Sequence, residues 1–325
     1  NNYIRFFKDN GQITETDKVI TAITRANPAV VTSSSHGFSN GDHVWINSVV
    51  GMTRLNGRRF VVANQTTNTF ELTGENSTSY DAYASAGTAS KVYEIATTYT
   101  TAQIFEIQYT QSADVMYIVH PDHKPRKLSR TGHTSWTLTD VDFLRGPYLD
   151  ANTSSATMTP SGTSGSVTIT ASTSTFVSGD IGRLIKIETG HAKITGYTSG
   201  TEVAATTTDN FTGTSAETDW SLGSWSSVLG YPRTVSFFEQ RLVFGGSTSY
   251  PQTVWASESG LYEEFDAGDG SAADAFIYTI AANRVNVIRW LAPSRDLIVG
   301  TVGGEFKVGR PTGEPLKPDN VNIAQ

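Results

Sequence analysis

The sequence predicts an all-β protein with a propeller-like core and two small inserted β modules. Apolar residues occur in short runs of strand length bounded by Gly, Asn, Asp or Ser, as at 44–46, 115–119 and 297–299. Thr and Ser make up about 24% of the 325 residues, which favours strands and turns. Apolar residues at helical spacing are nearly absent, so the pattern indicates strands almost throughout.

One segment, 101–109, has helical spacing, because Ile104, Phe105 and Ile107 share one face of about two turns. We expect a short helix there, with another strand as the alternative. By contrast, residues 183–188 alternate between apolar and charged side chains, which is typical of a half-buried strand.

The Ser and Thr residues are concentrated in two segments, with 21 in the 77 residues of 14–90 and 31 in the 76 residues of 151–226. Each segment contains a Phe-x-x-Gly-Asp turn, at 38–42 and 176–180, followed by an apolar strand. The Gly is expected to adopt a positive φ, and the Asp to accept backbone amides. The predicted division is therefore core start 1–13, module 14–90, core 91–150, module 151–226 and core 227–325.

The core that remains contains a repeat. A polar residue followed by a continuous apolar strand recurs at 114–117, 241–244 and 296–299. Without the second module, the starts of these copies are 51 and 55 residues apart. This spacing is typical of β-propeller blades, which have about 40–50 residues each. Three blades do not close a ring, so we expect the chain to be a fragment.

Composition excludes several classes of protein and site. The chain has no cysteine, which excludes a disulfide scaffold, a thiolate zinc site and a cysteine nucleophile. The net charge of −7 argues against a protein that grips nucleic acid by neutralising phosphates. No apolar run approaches the ~18 residues of a membrane span, so we expect no membrane anchor.

Three groups of residues carry candidate chemistry. His120 and His123 form a His-x-x-His motif, but a metal site needs a third ligand, and we expect a structural pair closing a strand. Residues 303–306 spell Gly-Gly-Glu-Phe, which is expected to be a hairpin turn because helical surroundings are lacking. A run of carboxylates is expected to be a solvated loop, with a structural cation or catalysis as alternatives: Glu258, Glu263, Glu264, Asp266, Asp269 and Asp274.

Aromatic and basic residues offer two further candidates. Four aromatics in Ser/Thr/Gly-rich stretches are expected to pack at module rims, with sugar stacking as the alternative: Tyr80, Tyr83, Trp220 and Trp225. The basic cluster Lys124, Arg126, Lys127 and Arg130 is expected to form a solvated turn, with phosphate contact as the alternative. We therefore predict no catalytic residue, no cofactor and no metal site.

Several stretches resemble the tail nozzle proteins of short-tailed bacteriophages, also called tail tubular protein B. The most specific is 109–121, which reads Tyr-Thr-Gln-Ser-Ala-Asp-Val-Met-Tyr-Ile-Val-His-Pro, followed by Pro-Arg-Lys-Leu at 125–128. Others lie at 5–7, 231–233, 240–246, 255–265 and 93–100, where Thr98 replaces a more usual Pro. Segment 20–72 resembles the module named after the first catalytic cysteine half-domain of ubiquitin-activating enzymes. It has no cysteine, so that enzymology does not transfer.

The nozzle resemblance implies a structural virion protein without catalytic activity. It implies a hexameric ring of identical subunits that contacts the tail adaptor and other tail proteins. DNA would pass through its lumen in the virion tail, after assembly in the bacterial host cytoplasm. The core outside the modules carries 16 Lys/Arg and 19 Asp/Glu, which suits a lumen that does not retain DNA. The alternatives are a carbohydrate-binding or depolymerase-type β protein at a cell surface, and a bacterial adhesin.

Overall fold

Strands form nearly all the regular structure of this protein, which confirms the predicted all-β class. The computed structural model describes residues 2–268, 270–281, 285–311, 314 and 316–325. Within them, the helical elements are three single 3-10 turns at Thr53–Leu55, Gln103–Phe105 and Ser178–Asp180. No helix in these described ranges has the length and apolarity needed to cross a bilayer.

The chain forms two compact units. The first comprises Asn1–Thr101 with Arg130–Thr137, and the second Ala102–Ser129 with Leu138–Gln325. The described strands of the first unit are β1 Tyr3–Arg5, β2 Phe7–Lys8, β3 Gly11–Gln12, β4 Lys18–Val19, β5 Ala22–Ile23, β6 Val30–Thr32, β7 His43–Asn47, β8 Arg58–Ala63, β9 Thr69–Leu72, β10 Thr88–Lys91 and β11 Glu94–Ala96.

Seven of these strands form one antiparallel sheet in the order β4-β10-β7-β8-β9-β6-β5. Alternate residues of β7 and β8 face the core, because successive side chains of a strand point to opposite sides. Val44 pairs with Phe60 in the sheet register, and both are buried with Ile46 and Val62. This sheet spans most of the segment predicted as the first module, whose boundaries stay a prediction.

The chain from Ala102 onward contains three four-stranded antiparallel sheets, each a simple meander; residues 130–137 of the first of them belong to the first unit, and the rest to the second. We call them blades 1, 2 and 3. Their strands are β12 Gln108–Ser112, β13 Val115–His120, β14 His123–Gly132 and β15 Ser135–Asp140; β22 Thr234–Phe238, β23 Arg241–Gly245, β24 Thr253–Ala256 and β25 Phe276–Thr279; and β26 Ile288–Pro293, β27 Leu297–Thr301, β28 Gly304–Gly309 and β29 Asn322–Ala324. The three repeat copies predict the second strand of each sheet, so this part of the propeller-like prediction is confirmed.

Blade 2 is buried on both faces, because blades 1 and 3 pack against it. One face belongs to a cluster with blade 1 that contains Tyr117, Val119, Leu242, Phe244 and Trp255. The opposite face belongs to a cluster with blade 3 that contains Val243, Val254, Ala256, Ile288, Leu297 and Val299. A strand buried on both faces reads as a continuous apolar run, which explains the Leu-Val-Phe sequence of β23.

The first strands of the three blades lie close together. Strands β12 and β13 contact β22, and β22 and β23 contact β26. The side-chain amide of Gln108 in β12 donates to the backbone carbonyl of Arg289 in β26 at 2.5 Å. In a propeller the first strand of each blade faces the central axis, so the first strands lie close together, as they do here.

A fourth sheet of the second unit has six strands in the order β16-β17-β20-β19-β18-β21. They are β16 Met158–Pro160, β17 Ser166–Ala171, β18 Leu184–Ile187, β19 Gly190–Ser199, β20 Glu202–Asp209 and β21 Trp220–Leu222. The sheet has its own core, which includes Ile169, Ile185, Ile194 and Val203. It lies within the segment predicted as the second module, whose boundaries also stay a prediction.

The two Phe-x-x-Gly-Asp turns share one hydrogen bond and differ in backbone conformation. The amide of Ser39 donates to Asp42 Oδ2 at 2.8 Å, and the amide of Val177 donates to Asp180 Oδ2 at 3.0 Å. The predicted positive φ is found at Gly41, at 92°. It is wrong for the Gly of the second turn, because that residue lies in a 3-10 turn.

The predicted helix at 101–109 is wrong. Only Gln103–Phe105 forms a 3-10 turn, because β12 begins at Gln108 and its hairpin with β13 takes up the following backbone groups. Ile104 and Phe105 are 48% and 88% exposed, so the apolar face that would have supported a helix does not pack on the core.

Phe244 tests the burial of the blade 2 face that packs against blade 1. It is fully buried and contacts the rings of Trp225 and Phe265, so Phe244→Ala should lower the free energy of unfolding by about 3–5 kcal/mol. Val302, 66% exposed, provides the control, and Val302→Ala should change it by less than about 0.5 kcal/mol. Urea unfolding measures both, and equal effects would contradict the packing described.

Candidate functional site

A polar cluster joins the second module's sheet to the segment that follows blade 2's third strand. We call Tyr148, Lys186, His191 and Asp266 the polar latch. The Lys186 ammonium donates to both carboxylate oxygens of Asp266, at 2.9 and 3.1 Å. His191 Nε2 lies 3.5 Å from Asp266 Oδ2. Strands β18 and β19 thus each contribute one nitrogen group to a single carboxylate.

Tyr148 completes the latch from the other side of the imidazole. Its hydroxyl lies 2.6 Å from His191 Nδ1, and the two rings are stacked with centroids 5.6 Å apart. Burial raises the pKa of Tyr148 above its ordinary value, so the phenol keeps its proton and can donate to Nδ1. The nearby Asp266 carboxylate favours a proton on His191 Nε2, which is compatible with that bond.

His191 is neutral in this setting. Burial lowers its pKa, and this effect outweighs the opposing attraction of Asp266, while Lys186 lowers the pKa further. The carboxylate is therefore balanced chiefly by the Lys186 ammonium. The latch is an ion pair supported by a hydrogen-bonded Tyr–His pair.

Two more ion pairs connect the module's sheet to the segment that lies between blade 1 and that sheet in the chain. Arg145 Nε donates to Asp209 Oδ2 at 2.6 Å, and this bond raises the pKa of Arg145. Lys193 donates to Asp142. The backbone adds a hydrogen bond, in which the amide of Phe265 donates to the carbonyl of Arg145 at 2.8 Å. The module's sheet is thus held by several polar contacts from different strands.

A groove of about 750 Å³ runs beside the latch. Carboxylates line it at Asp150, Glu188 and Asp219, together with Lys186 and Asp266 of the latch. Its aromatic members include Tyr250 and Phe276. The groove can therefore offer hydrogen-bond acceptors and an apolar wall to a polar ligand. Its lysine, Lys186, is already paired with Asp266.

The acidic run of 258–274 does not act as one group. Glu263 accepts from Lys127 at 2.5 Å and from the Tyr117 hydroxyl at 3.1 Å. Asp274 accepts the amides of Gly270 and Ser271. These carboxylates lie in the loop between β24 and β25, as expected, and Glu263, Asp266 and Asp274 each bond to a neighbour there.

Two members of that run need separate mention. Glu264 has a buried Oε2 without a hydrogen-bond partner in the described part of the chain, and burial raises its pKa. Glu258 is half-buried and bonds through its backbone amide to the carbonyl of Glu264. Asp269 lies outside the described residues.

His120 and His123 face each other across the β13–β14 hairpin, with ring centroids 5.2 Å apart. The amide of Asp122 donates to His120 Nδ1 at 3.1 Å, and His123 Nε2 bonds to Gln103 Oε1 at 3.1 Å. Burial lowers the pKa of both histidines. Within the described ranges, no three His, Asp or Glu side chains meet in a metal-binding arrangement.

The Gly-Gly-Glu-Phe stretch forms a hairpin, which confirms the expectation. Gly303 lies in the turn, and Gly304 begins β28, where it pairs with Thr301. The Thr301 hydroxyl donates to the Gly304 carbonyl at 2.6 Å and closes the turn.

The basic cluster lies on strand β14, so the expected solvated turn is wrong. Arg126 Nε lies 3.3 Å from Asp140 Oδ1, and Lys127 pairs with Glu263 as described. Arg130 lies beside the ring of Trp136. Most of the cluster's charge is thus engaged with neighbouring side chains.

The four aromatics pack against protein cores, as expected. Tyr80 and Tyr83 lie against the core of the seven-stranded sheet, and Trp220 against that of the six-stranded sheet. Trp225 is only 8% exposed and lies deeper than a rim position, among the rings of Phe143, Phe244 and Phe265.

An exposed apolar strip precedes and begins blade 1. Within six residues of chain, Ile104, Phe105 and Tyr109 are 48%, 88% and 64% exposed. Exposed apolar groups of this kind mark contact surfaces for other proteins when they are clustered. We call these three residues the apolar strip.

The latch makes a specific prediction about pH. Because folding lowers the pKa of His191, the unfolded chain binds more protons as pH falls below about 6.5. The free energy of unfolding should therefore be constant above that pH and decrease below it, by at most about 1.4 kcal/mol per pH unit for this histidine.

His191→Gln is the variant that isolates this effect. We compare the free energies of unfolding of the unchanged chain and the variant at each pH. In their difference, the contributions of the other titrating groups cancel, including those of His120, His123 and Glu264. Unfolding free energies should converge as the pH falls from about 7.5 to 5.5. A difference that stays constant over that range would contradict a neutral, buried His191.

Comparison with known proteins identifies one segment of the chain. Residues 26–93 match the sequence model of the family described as the ubiquitin-activating enzyme E1 FCCH domain. This match supports the resemblance predicted for the first module. No curated protein matches the chain.

Among solved structures, the phage phi92 endosialidase aligns with 99% of this chain and 62% of that one, at 11% identity and a TM-score of 0.20. This chain therefore spans less than two thirds of that protein. The firm relationship is that residues 26–93 are similar to an E1 FCCH domain.

Proposed function

We propose that this chain is a structural component of a bacteriophage tail, of the nozzle type, that forms a conduit for DNA. The observation that carries the proposal is the stack of three blades, in which blade 2 is buried on both faces. Such a stack buries both faces of its middle blade and forms a rigid body. A wall that encloses passing DNA has to be rigid.

The motif that most resembles the nozzle family lies within this stack. Residues 109–121 form the β12–β13 hairpin that opens blade 1. The hairpin turn contains Ala113 at a φ of 49°, and its carbonyl accepts from Gln111 Nε2 at 2.8 Å. The resemblance thus coincides with one complete structural element that contributes to the blade stack.

Assembly requires a surface that other subunits can cover. The apolar strip supplies one, because Ile104, Phe105 and Tyr109 lie within six residues of chain and are 48%, 88% and 64% exposed. Burying such side chains in an interface gives about 25 cal/mol for each Å² of apolar surface removed from water. In the proposed assembly, this strip contacts a second copy or another tail protein.

The charge balance suits passive conduction of DNA. Outside the two predicted modules, the chain carries 16 Lys/Arg and 19 Asp/Glu. Each phosphate that a wall neutralises raises its affinity for DNA through counterion release. A wall with slightly negative charge therefore lets DNA slide. The ion pairs of Arg126 and Lys127 reduce the available positive charge further.

Particles made by a phage that encodes this chain test the proposal directly. Gold-labelled antibody against the chain should mark the tail in electron micrographs. Phe105→Asp should leave the chain folded but remove the label from the particles, because a charge in the strip opposes burial. Val302→Asp, at a similarly exposed apolar position in a hairpin turn, should leave tail labelling intact.

The labelling of the tail decides for or against the structural role. Label on the tail with the unchanged chain supports the structural role, and particles without label contradict it. Loss of label with both variants would contradict the specific role of the apolar strip. Circular dichroism of each purified variant establishes that the fold is retained.

A second candidate is carbohydrate binding, favoured by the groove beside the polar latch. Asp150 and Asp219 are exposed in it, and Tyr250 lies in its wall, which are groups that bind sugar hydroxyls and ring faces. A glycan array should then show hits that Asp150→Asn with Asp219→Asn abolishes. An array without hits would exclude this candidate.

A further inference from the structure

A cavity of about 340 Å³ lies in the second unit, between the start of β14 and the second module's sheet. Its volume falls within the range of about 300–1,000 Å³ that is usual for small-molecule sites. Four charged residues line it, together with aromatic and aliphatic side chains: Lys124, Asp140, Asp142 and Lys193. The cavity has space for one ring-sized molecule.

Three of the four charges already have a partner. Asp140 Oδ1 lies 3.3 Å from Arg126 Nε, and Asp142 accepts from Lys193. Lys124 differs, because its ammonium has no hydrogen bond or ion pair with any residue that the structure describes. A half-buried ammonium without a counter-charge favours an anion nearby.

The backbone opposite Lys124 leaves room for its ammonium group. Gly182, another wall residue, has a φ of 89°, and a Cβ built there would lie 2.5 Å from Lys124 Nζ. The ammonium thus lies close against the wall of the cavity. A glycine at this position permits that approach.

An aromatic donor in the wall points to the same kind of ligand. Trp225 is 8% exposed, and its indole Nε1 is buried without an acceptor among the described residues. A buried donor without an acceptor is unfavourable, so a ligand that accepts its hydrogen bond gains affinity. Tyr231, also 8% exposed, adds a hydroxyl that keeps its proton, since burial raises its pKa.

The remaining wall is apolar, with Val141 and Leu184 each 6% exposed and Phe143 beside them. We propose that this cavity binds a small organic carboxylate with a ring-shaped body, the carboxylate pairing with Lys124 and accepting a hydrogen bond from Trp225. Aromatic carboxylates and acidic monosaccharides share this chemistry. This site is independent of the tail assembly, because the apolar strip contributes no residue to it.

Calorimetric titration of the purified chain tests the site with two pairs of probes. Benzoate and glucuronate are the carboxylates, and benzamide and glucose are their neutral counterparts. We expect at least one carboxylate to bind about tenfold more tightly than its counterpart, because a charge-assisted bond to Lys124 is lost in the neutral probe. Which carboxylate binds distinguishes the aromatic from the sugar source.

Three variants locate the binding. Lys124→Met should weaken it about tenfold, whereas Lys8→Met, at an exposed lysine of the first unit, should not change it. Trp225→Phe keeps an aromatic ring and removes the N–H. It should weaken carboxylate binding, and circular dichroism checks that the variant, whose smaller ring leaves space beside Phe143 and Phe244, is still folded.

Several outcomes would overturn the proposal. These are no binding of either carboxylate, equal affinity for acid and neutral probe, or unchanged affinity in Lys124→Met. Tail labelling by antibody is a separate measurement, so failure of the structural proposal and failure of this site are distinguishable.

Discussion

Burial of both faces of blade 2 is the constraint on which the rest of the second unit depends. A sheet with one apolar face needs one partner layer, and a sheet with two needs two. Strand β23 carries Leu242 and Phe244 on one face and Val243 on the other, so blade 2 cannot be stable as a two-layer element. Blades 1 and 3 satisfy this requirement, and in both of them consecutive strands pair with each other in a meander.

The second module is attached in a different way from the blades. The blades pack through apolar side chains, whereas the module's sheet is held by the polar latch and by the pairs Arg145–Asp209 and Lys193–Asp142. Partly exposed ion pairs contribute less free energy than apolar burial and depend on pH and salt. The blade stack is therefore the stable body, and the module is the part whose attachment responds most to solution conditions.

Much of the blade architecture could be predicted because two-sided burial leaves a local signature. A continuous run such as Leu-Val-Phe at β23 is readable without its partners, and its recurrence at regular spacing marks the second strand of each blade. The helix expected at 101–109 failed for a related reason. Pairing of β12 with β13 is a contact between strands, and the apolar spacing of one segment does not report it.

No short stretch of the sequence predicts the latch or the cavity. Tyr148, Lys186 and Asp266 come from separate parts of the chain, and nothing near each residue indicates its partners. The basic cluster shows the same limit. Lys124, Arg126 and Lys127 look equivalent in the sequence, yet only the carboxylates supplied by other segments distinguish the paired residues from Lys124. The E1 FCCH match covers residues 26–93 and contains none of these groups.

Amide hydrogen exchange of the intact chain tests the central claim most directly. If blade 2 is the doubly covered layer, the amides of β23 should exchange most slowly among the blade strands of the second unit, and more slowly than those of β12 and β26, whose outer residues are exposed. Exchange in β23 as fast as in β12 and β26 would contradict the account.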